Sequence, residues 1–215
     1  MYPVTIVDNF FPDPDQIVEF ALSQEYSIDG TGAWPGVRTA CLSQICPDLH
    51  LYVGNKIYEN FYSETPNHWS INMYFQRIQP FTKNQYDLKN VGWIHKDHNK
   101  HFGGVIYLNK NPEKDTGTSI YVPKKGYFHH DTHCRMVKEK FYLTHEVDDE
   151  EYYKSIKTIN DQFEETVRIQ NRYNRMIMFS NTTYHGAQTF GKDQERLTLV
   201  FFSNGMFGSP PPMFR

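Results

Sequence analysis

Val91-Gly92-Trp93-Ile94-His95-Lys96-Asp97-His98 places an imidazole and a carboxylate two residues apart. On a strand, alternate side chains share a face, so His95 and Asp97 point to the same side of the sheet. Together they are two of the three ligands of a 2-His-1-carboxylate iron site, and a second histidine is needed from elsewhere. Ser180-Asn181-Thr182-Thr183-Tyr184-His185-Gly186-Ala187 supplies it in His185, just after the apolar run Met176-Ile177-Met178-Phe179. Downstream, Arg196-Leu197-Thr198 opens the most apolar stretch of the chain, Leu197 to Phe202. An arginine in that position is suited to holding a dicarboxylate beside the metal.

Working outward, Trp69, Ile71, Met73 and Phe75 alternate with Ser70, Asn72, Tyr74 and Gln76, the period of a strand with one apolar face. Its polar face is expected to line a cavity, with Tyr74 a contact to bound co-substrate. Gly103 to Asn109 reads as a further strand with Val105, Tyr107 and Asn109 on one face, so an inward Tyr107 can donate its hydroxyl to a carboxylate. A turn over Asn109 to Asp115 leads to a strand over Thr116 to Val122, and Arg196 to Phe202 is the closing strand. Thr198 faces the same way as Arg196 and adds a hydroxyl.

Before the barrel, Tyr2 to Val7 reads as a short strand and Asp13-Pro14 as the start of a helix whose apolar face is Ile17, Val18, Ala21 and Leu22. Asp29 to Gly36 is a glycine- and proline-rich loop, in which Trp34, with Arg38 just beyond, is a candidate to face substrate. Asp48 is expected to cap a second helix with the stripe Leu49, Val53, Ile57 and Phe61. Residues 123–171 do not fit a minimal barrel and read as an insertion. There Asp148-Asp149-Glu150-Glu151 suits a helix N-terminus, followed by the stripe Tyr152, Ile156, Ile159 and Phe163. The expected organisation is one domain over 1–215: an N-terminal support over 1–66, barrel strands over 67–122 and 172–204, and the insertion over 123–171.

The ordered set of His95-Lys96-Asp97, the Tyr107-Leu108-Asn109 strand, the Gly117-Thr118 strand, distal His185 and Arg196-Leu197-Thr198 resembles the Fe(II)/2-oxoglutarate-dependent dioxygenases, especially their prolyl-hydroxylase-like branch. The resemblance covers Trp69 to Phe202. It implies a mainly β fold with flanking helices, a double-stranded β-helix, that is, a jelly-roll, cupin-like barrel. It implies His95, Asp97 and His185 as the catalytic metal ligands, Fe(II) as the metal, 2-oxoglutarate and O2 as co-substrates, and a place for ascorbate. Arg196, Thr198 and Tyr107 then hold the far carboxylate of 2-oxoglutarate, at a position where the branch varies between lysine and arginine. The implied reaction is hydroxylation of a peptidyl side chain or a small molecule, with succinate and CO2 as co-products.

Composition narrows the partners. The 22 basic and 25 acidic residues leave a net charge of −3, with no broad basic field for nucleic acid or an anionic membrane. A nucleic-acid demethylase of the same superfamily is therefore the weaker alternative. A metal-binding jelly roll without turnover is another, but it predicts an incomplete triad. Cys41, Cys46 and Cys134 form no disulfide framework, so a reducing, cytoplasmic location is expected. The N-terminus lacks a secretory pattern, no apolar run approaches a membrane span, and no coiled-coil stripe decides oligomeric state. Taken singly, His95 and Asp97 read equally well as a surface pair, His185 as a core histidine and Arg196 as a salt-bridge partner; the ordered set favours the site. His98, His101 and the cluster His129-His130-Asp131-Thr132-His133 are the competing metal ligands.

Overall fold

The alternating run from Trp69 becomes the central long strand of the larger of two sheets. A computed structural model describes residues 4–60, 66, 68–127 and 132–207. The chain begins with β1 (Val4–Val7), α1 (Pro14–Leu22), the short strands β2 (Ser27–Ile28) and β3 (Val37–Arg38), and helices α2 (Leu42–Ile45) and α3 (Pro47–Glu59). It continues through β4 (His68–Ile78), β5 (Phe102–Tyr107), β6 (Thr118–Pro123), α4 (Thr132–Thr144), α5 (Asp149–Asn160), β7 (Phe163–Ile169), β8 (Met176–Ser180), β9 (Tyr184–Ala187) and β10 (Arg196–Phe207).

One sheet has the order β1-β8-β5-β10-β4-β3-β2 and the other β7-β6-β9. The pairings are antiparallel. His95 forms a single antiparallel bridge to His185, so the His95 segment runs beside β9 of the smaller sheet. The strand expected over His95 and Asp97 is reduced to this one bridge, with Asp97 in irregular chain. From β4 to β10 the chain therefore winds between sheets: larger, smaller at His95, larger, smaller through β6 and β7, larger, smaller, larger. That winding is the expected double-stranded β-helix.

Burial explains why the alternation was readable. Ile71, Met73 and Phe75 of β4, with Leu199 and Phe201 of β10, pack against Val53 and Ile57 of α3 and against Phe10 and Ala21. The opposite face looks into the space between the sheets, where β4 carries Asn72, Tyr74 and Gln76 and β10 carries Arg196, Val200 and Phe202. Gly54 makes the close approach of α3 feasible, since a Cβ there would lie 2.1 Å from the Trp69 ring. Asp13 accepts a hydrogen bond from Gln16 N at the start of α1, as its position predicts. In α3, by contrast, Asp48 lies within the first turn and Cys46 holds the cap position, because Pro47 already occupies the first helical residue.

The segment 123–171 is not wholly an insertion. Its last part is β7, paired with β6 from Thr118↔Ile169 to Pro123↔Phe163. Glu164, Glu165, Thr166, Val167 and Arg168 are exposed along this edge strand, so no alternating apolar pattern announces it. Phe163 begins the strand and does not extend the helical stripe, which ends within α5. The inserted part holds two helices, α4 and α5, packed through Val137, Phe141, Tyr152 and Ile156 onto Trp93 and Ile94. Tyr2, Pro3, Phe61 and the residues His129, His130 and Asp131 lie outside the described residues. Among the described residues no helix is long and apolar enough to cross a membrane.

Candidate metal centre

The bridge between His95 and His185 brings two strands' histidines side by side, with ring centroids 4.4 Å apart. His95 Nδ1 lies 2.9 Å from the Trp93 carbonyl oxygen and His185 Nδ1 3.1 Å from that of Thr183. A carbonyl only accepts, so each Nδ1 carries the proton and each Nε2 carries the lone pair. Both Nε2 atoms face Asp97: 3.8 Å from His95 to Oδ1 and 3.7 Å from His185 to Oδ2. The three donor atoms all lie within 4.8 Å of one another. Ligands about 2.1 Å from a shared ion sit about 3 Å apart, so a modest inward movement completes the site. Two imidazoles and one carboxylate grouped on one side suit Fe(II) and leave room for further ligands.

His185 is buried against Phe179, with ring centroids 4.0 Å apart. Burial lowers its pKa and keeps the ring neutral, the form that binds metal. Asp97 is held where it is by the absence of a side chain opposite, since a Cβ on Gly103 would lie 2.5 Å from Oδ2.

Two asparagines that sequence reasoning passed over organise this region: Asn160 holds the His95 segment, and Asn90 holds the loop from Phe81 to Asn84 that precedes it. Asn160, the last residue of α5, accepts from Ile94 N at 2.9 Å and donates to the Gly92 carbonyl at 3.0 Å. Trp93 Nε1 donates to the Tyr152 hydroxyl at 3.0 Å, a second tie to the same helix. Asn90, fully buried, accepts from Phe81 N at 2.7 Å and donates to the carbonyls of Thr82 and Asn84. The one sequence trace of Asn160 is a polar residue closing an apolar helical stripe, too common to single out.

The triad opens onto a cavity of about 690 Å³ that also receives Arg38, Tyr74, Thr118 and Arg196. Arg196 is 6% exposed and donates through Nε to the Thr116 carbonyl at 3.1 Å. It also donates to Tyr107, whose hydroxyl in turn donates to Thr118 Oγ1 at 2.8 Å. Burial raises the Tyr107 pKa, so the phenol keeps its proton. Burial lowers the pKa of Arg196, and among the described residues no carboxylate lies within 4.0 Å of it. Thr198, opposite Tyr107 in the register of β10 and β5, has a buried hydroxyl with no hydrogen-bond partner among the described residues.

The expected site residues thus fall in two groups. His95, Asp97 and His185 converge, and Arg196, Thr198 and Tyr107 gather on β10 and β5. Tyr74 lies opposite Val200, four residues from Arg196 and about 13 Å along the strand, where its ring is 5.7 Å from the Arg38 guanidinium. His98 lines the cavity, whereas His101 sits against Gly205. His133 is exposed on α4, 3.4 Å from Glu151. Among the described residues the triad is the group of ligands placed to share an ion.

The family described as "Family of unknown function (DUF6445)" matches residues 1–198. No curated protein matches the sequence. Solved structures share its fold at low identity. HygX from Streptomyces hygroscopicus, with nickel, 2-oxoglutarate and hygromycin B bound, aligns with a TM-score of 0.57 at 11% identity, over 94% of this chain and 82% of that one. A prolyl hydroxylase in complex with a hypoxia inducible factor oxygen degradation domain peptide fragment, from Trichoplax adhaerens, aligns with a TM-score of 0.53 at 11% identity, over 94% and 83%. The non-haem α-ketoglutarate-dependent carbocyclase SnoK from nogalamycin biosynthesis aligns with a TM-score of 0.52 at 9% identity, over 94% and 79%. At these identities the likeness establishes the double-stranded β-helix.

Proposed function

The chain belongs to the DUF6445 family, and we propose that it is a non-haem Fe(II)- and 2-oxoglutarate-dependent dioxygenase. It hydroxylates a small molecule or a peptidyl side chain and releases succinate and CO2. The observation that carries this reading is Arg196, a buried cation without a carboxylate partner among the described residues, in the wall of the cavity that also holds two histidines and an aspartate. A charge kept out of water with only neutral hydrogen-bond partners, here the Thr116 carbonyl and Tyr107, remains costly, and a bound carboxylate relieves that cost. The far end of 2-oxoglutarate supplies one.

Each residue then has a defined task. Nε2 of His95, Nε2 of His185 and the Asp97 carboxylate hold the iron, with both imidazoles fixed by their carbonyl partners. Arg196 pairs with the far carboxylate, Thr198 gives it the hydroxyl proton that has no partner among the described residues, and Tyr107 holds the guanidinium in place. Phe179 and Val200 form apolar walls that limit water near the metal. When bound, iron supplies the activation of dioxygen that couples decarboxylation of 2-oxoglutarate to substrate oxidation. Ascorbate is assigned the role of reductant for iron oxidised in idle cycles, and the cytoplasm is the assigned compartment.

Release of CO2 from 2-oxoglutarate labelled at C1, with Fe(II) and oxygen present, tests the reading. The expected result is iron-dependent release that disappears in His185→Ala. Arg196→Ala raises the 2-oxoglutarate requirement by about 10–100-fold, the worth of a charge-assisted pair. Release that persists in His185→Ala, or no iron-dependent release from the wild-type protein, contradicts it.

A further inference from the structure

The cavity is more cationic than iron and 2-oxoglutarate require. Arg38, Lys96, Lys100, Arg135, Lys138 and Arg196 line it against two carboxylates, Asp97 and Glu139, in a chain whose net charge is −3. Asp97 is committed to the metal, and Glu139 is tied to Arg135 at 2.8 Å. The two charges of iron and the two of 2-oxoglutarate cancel. The surplus is left for whatever enters above them.

Arg38 is one of these surplus cations. It is 9% exposed, on β3 opposite Gln76 of β4, with its guanidinium carbon 3.9 Å from the centroid of the Trp34 ring. Its polar contact is a long one, from Nη2 to Gln76 Oε1 at 3.5 Å, and Gln76 is itself held by donation to the Pro35 carbonyl at 2.8 Å. Among the described residues no carboxylate lies within 4.0 Å of Arg38. Its Nε and the indole Nε1 of Trp34 are both buried, and among the described residues neither has a hydrogen-bond partner. Two orphaned donors on a stacked pair at a cavity wall call for an acceptor, and a guanidinium edge calls for an anionic one.

We propose that Arg38 and Trp34 form the recognition site for the oxidised substrate, and that this substrate carries an anionic group, a carboxylate or a phosphate. The planar fork of Arg38 takes two of its oxygens and the indole N–H takes one more. Tyr74 and Phe202, whose rings are 5.7 and 5.5 Å from the same guanidinium, pack on the body of the substrate. The proposal rests on reading the cavity as that of a dioxygenase, and it adds the class of substrate.

Phenylacetate, phenyl phosphate and phenylacetamide differ mainly in the group offered, so they serve as probes. Each is titrated by calorimetry and tryptophan fluorescence into anaerobic protein saturated with Fe(II) and 2-oxoglutarate. The visible band of the iron–2-oxoglutarate complex is followed in parallel. At least one anion is expected to bind about tenfold or more tightly than the amide, and the better anion tells carboxylate from phosphate. Arg38→Gln and Trp34→Phe each reduce that preference, with the 2-oxoglutarate midpoint of the band unmoved. Trp34→Phe removes the N–H donor while leaving a smaller aromatic ring against Arg38, so it carries the test if Arg38→Gln does not fold. Equal or absent binding of all three probes, or an unchanged preference in the folded variants, overturns the proposal. A band midpoint shifted in Arg38→Gln overturns it too, by placing Arg38 on 2-oxoglutarate itself. Absence of the band in wild-type protein is failure of the dioxygenase reading, and the probe titrations still report the anion preference separately.

Discussion

Gly103 shows how narrowly the metal site is built at the scale of single residues. The two carboxylate oxygens of Asp97 each face one histidine, and a methyl group at Gly103 would meet Oδ2 at 2.5 Å. Gly103→Ala is therefore expected to turn the carboxylate away and weaken Fe(II) binding by about 10–100-fold, the usual effect of disturbing a ligand's support. Equilibrium titration with Fe(II) under anaerobic conditions measures this, and wild-type affinity in the variant contradicts the assigned position of Asp97. At this scale the pairing of His95 with Asp97 was legible from their two-residue spacing, although the strand that spacing implied is not what holds them. His95 makes a single bridge to His185, and Asp97 lies in irregular chain beyond it. His185 and Arg196 were legible through order along the chain. Gly103 and Asn160 were not, because their importance lies in what they stand beside, and nothing local in the sequence records it.

At the scale of elements, the inserted helices have a task in the site. The last residue of α5 pairs with both Gly92 and Ile94, and its Tyr152 receives the Trp93 indole proton, so this helix clamps the segment that carries His95. Asn160→Ala leaves a buried donor and acceptor unmatched and is expected to cost about 1–3 kcal/mol, read from urea unfolding. It should also loosen metal binding, which a helix packed outside the barrel without a role in the site would not affect. At the other end of α5, Asp148 accepts from Glu150 N and Glu151 N. Asp148→Ala is expected to cost about 1 kcal/mol in the same assay, with Fe(II) affinity nearly unchanged. The acidic start of this helix and its apolar stripe were readable. Strand β7 was not, since an edge strand with polar, exposed residues carries no alternating signal.

Over the whole molecule, the winding between two sheets was legible because each long strand has one face in the helix-covered core and one face on the cavity. Sites where backbone alone decides the path, such as the His95 bridge, appear only in three dimensions. The closing of β1 onto the larger sheet offers a test by pH. Arg175 lies 2.6 Å from Asp8 and, chiefly through this hydrogen bond, holds the Asp8 carboxyl below its ordinary value of 3.8. A carboxylate with a lowered folded pKa stabilises the fold above its unfolded value, and that contribution is lost as pH falls through the lowered one. Asp8→Asn should thus be less stable than wild type at pH 7, and the gap between their urea midpoints should narrow below pH 3.8. A gap that stays constant with pH contradicts the ion pair.

The central claim is that one cavity holds iron on His95, Asp97 and His185 and 2-oxoglutarate on Arg196. Anaerobic titration of the apoprotein with Fe(II) and then 2-oxoglutarate tests it most directly, through the weak visible charge-transfer band of the chelated complex. The account predicts a band in wild-type protein, no band in Asp97→Ala, and in Arg196→Ala a band that needs far more 2-oxoglutarate. Iron binding without a band in wild type, or an intact band in Asp97→Ala, would contradict it.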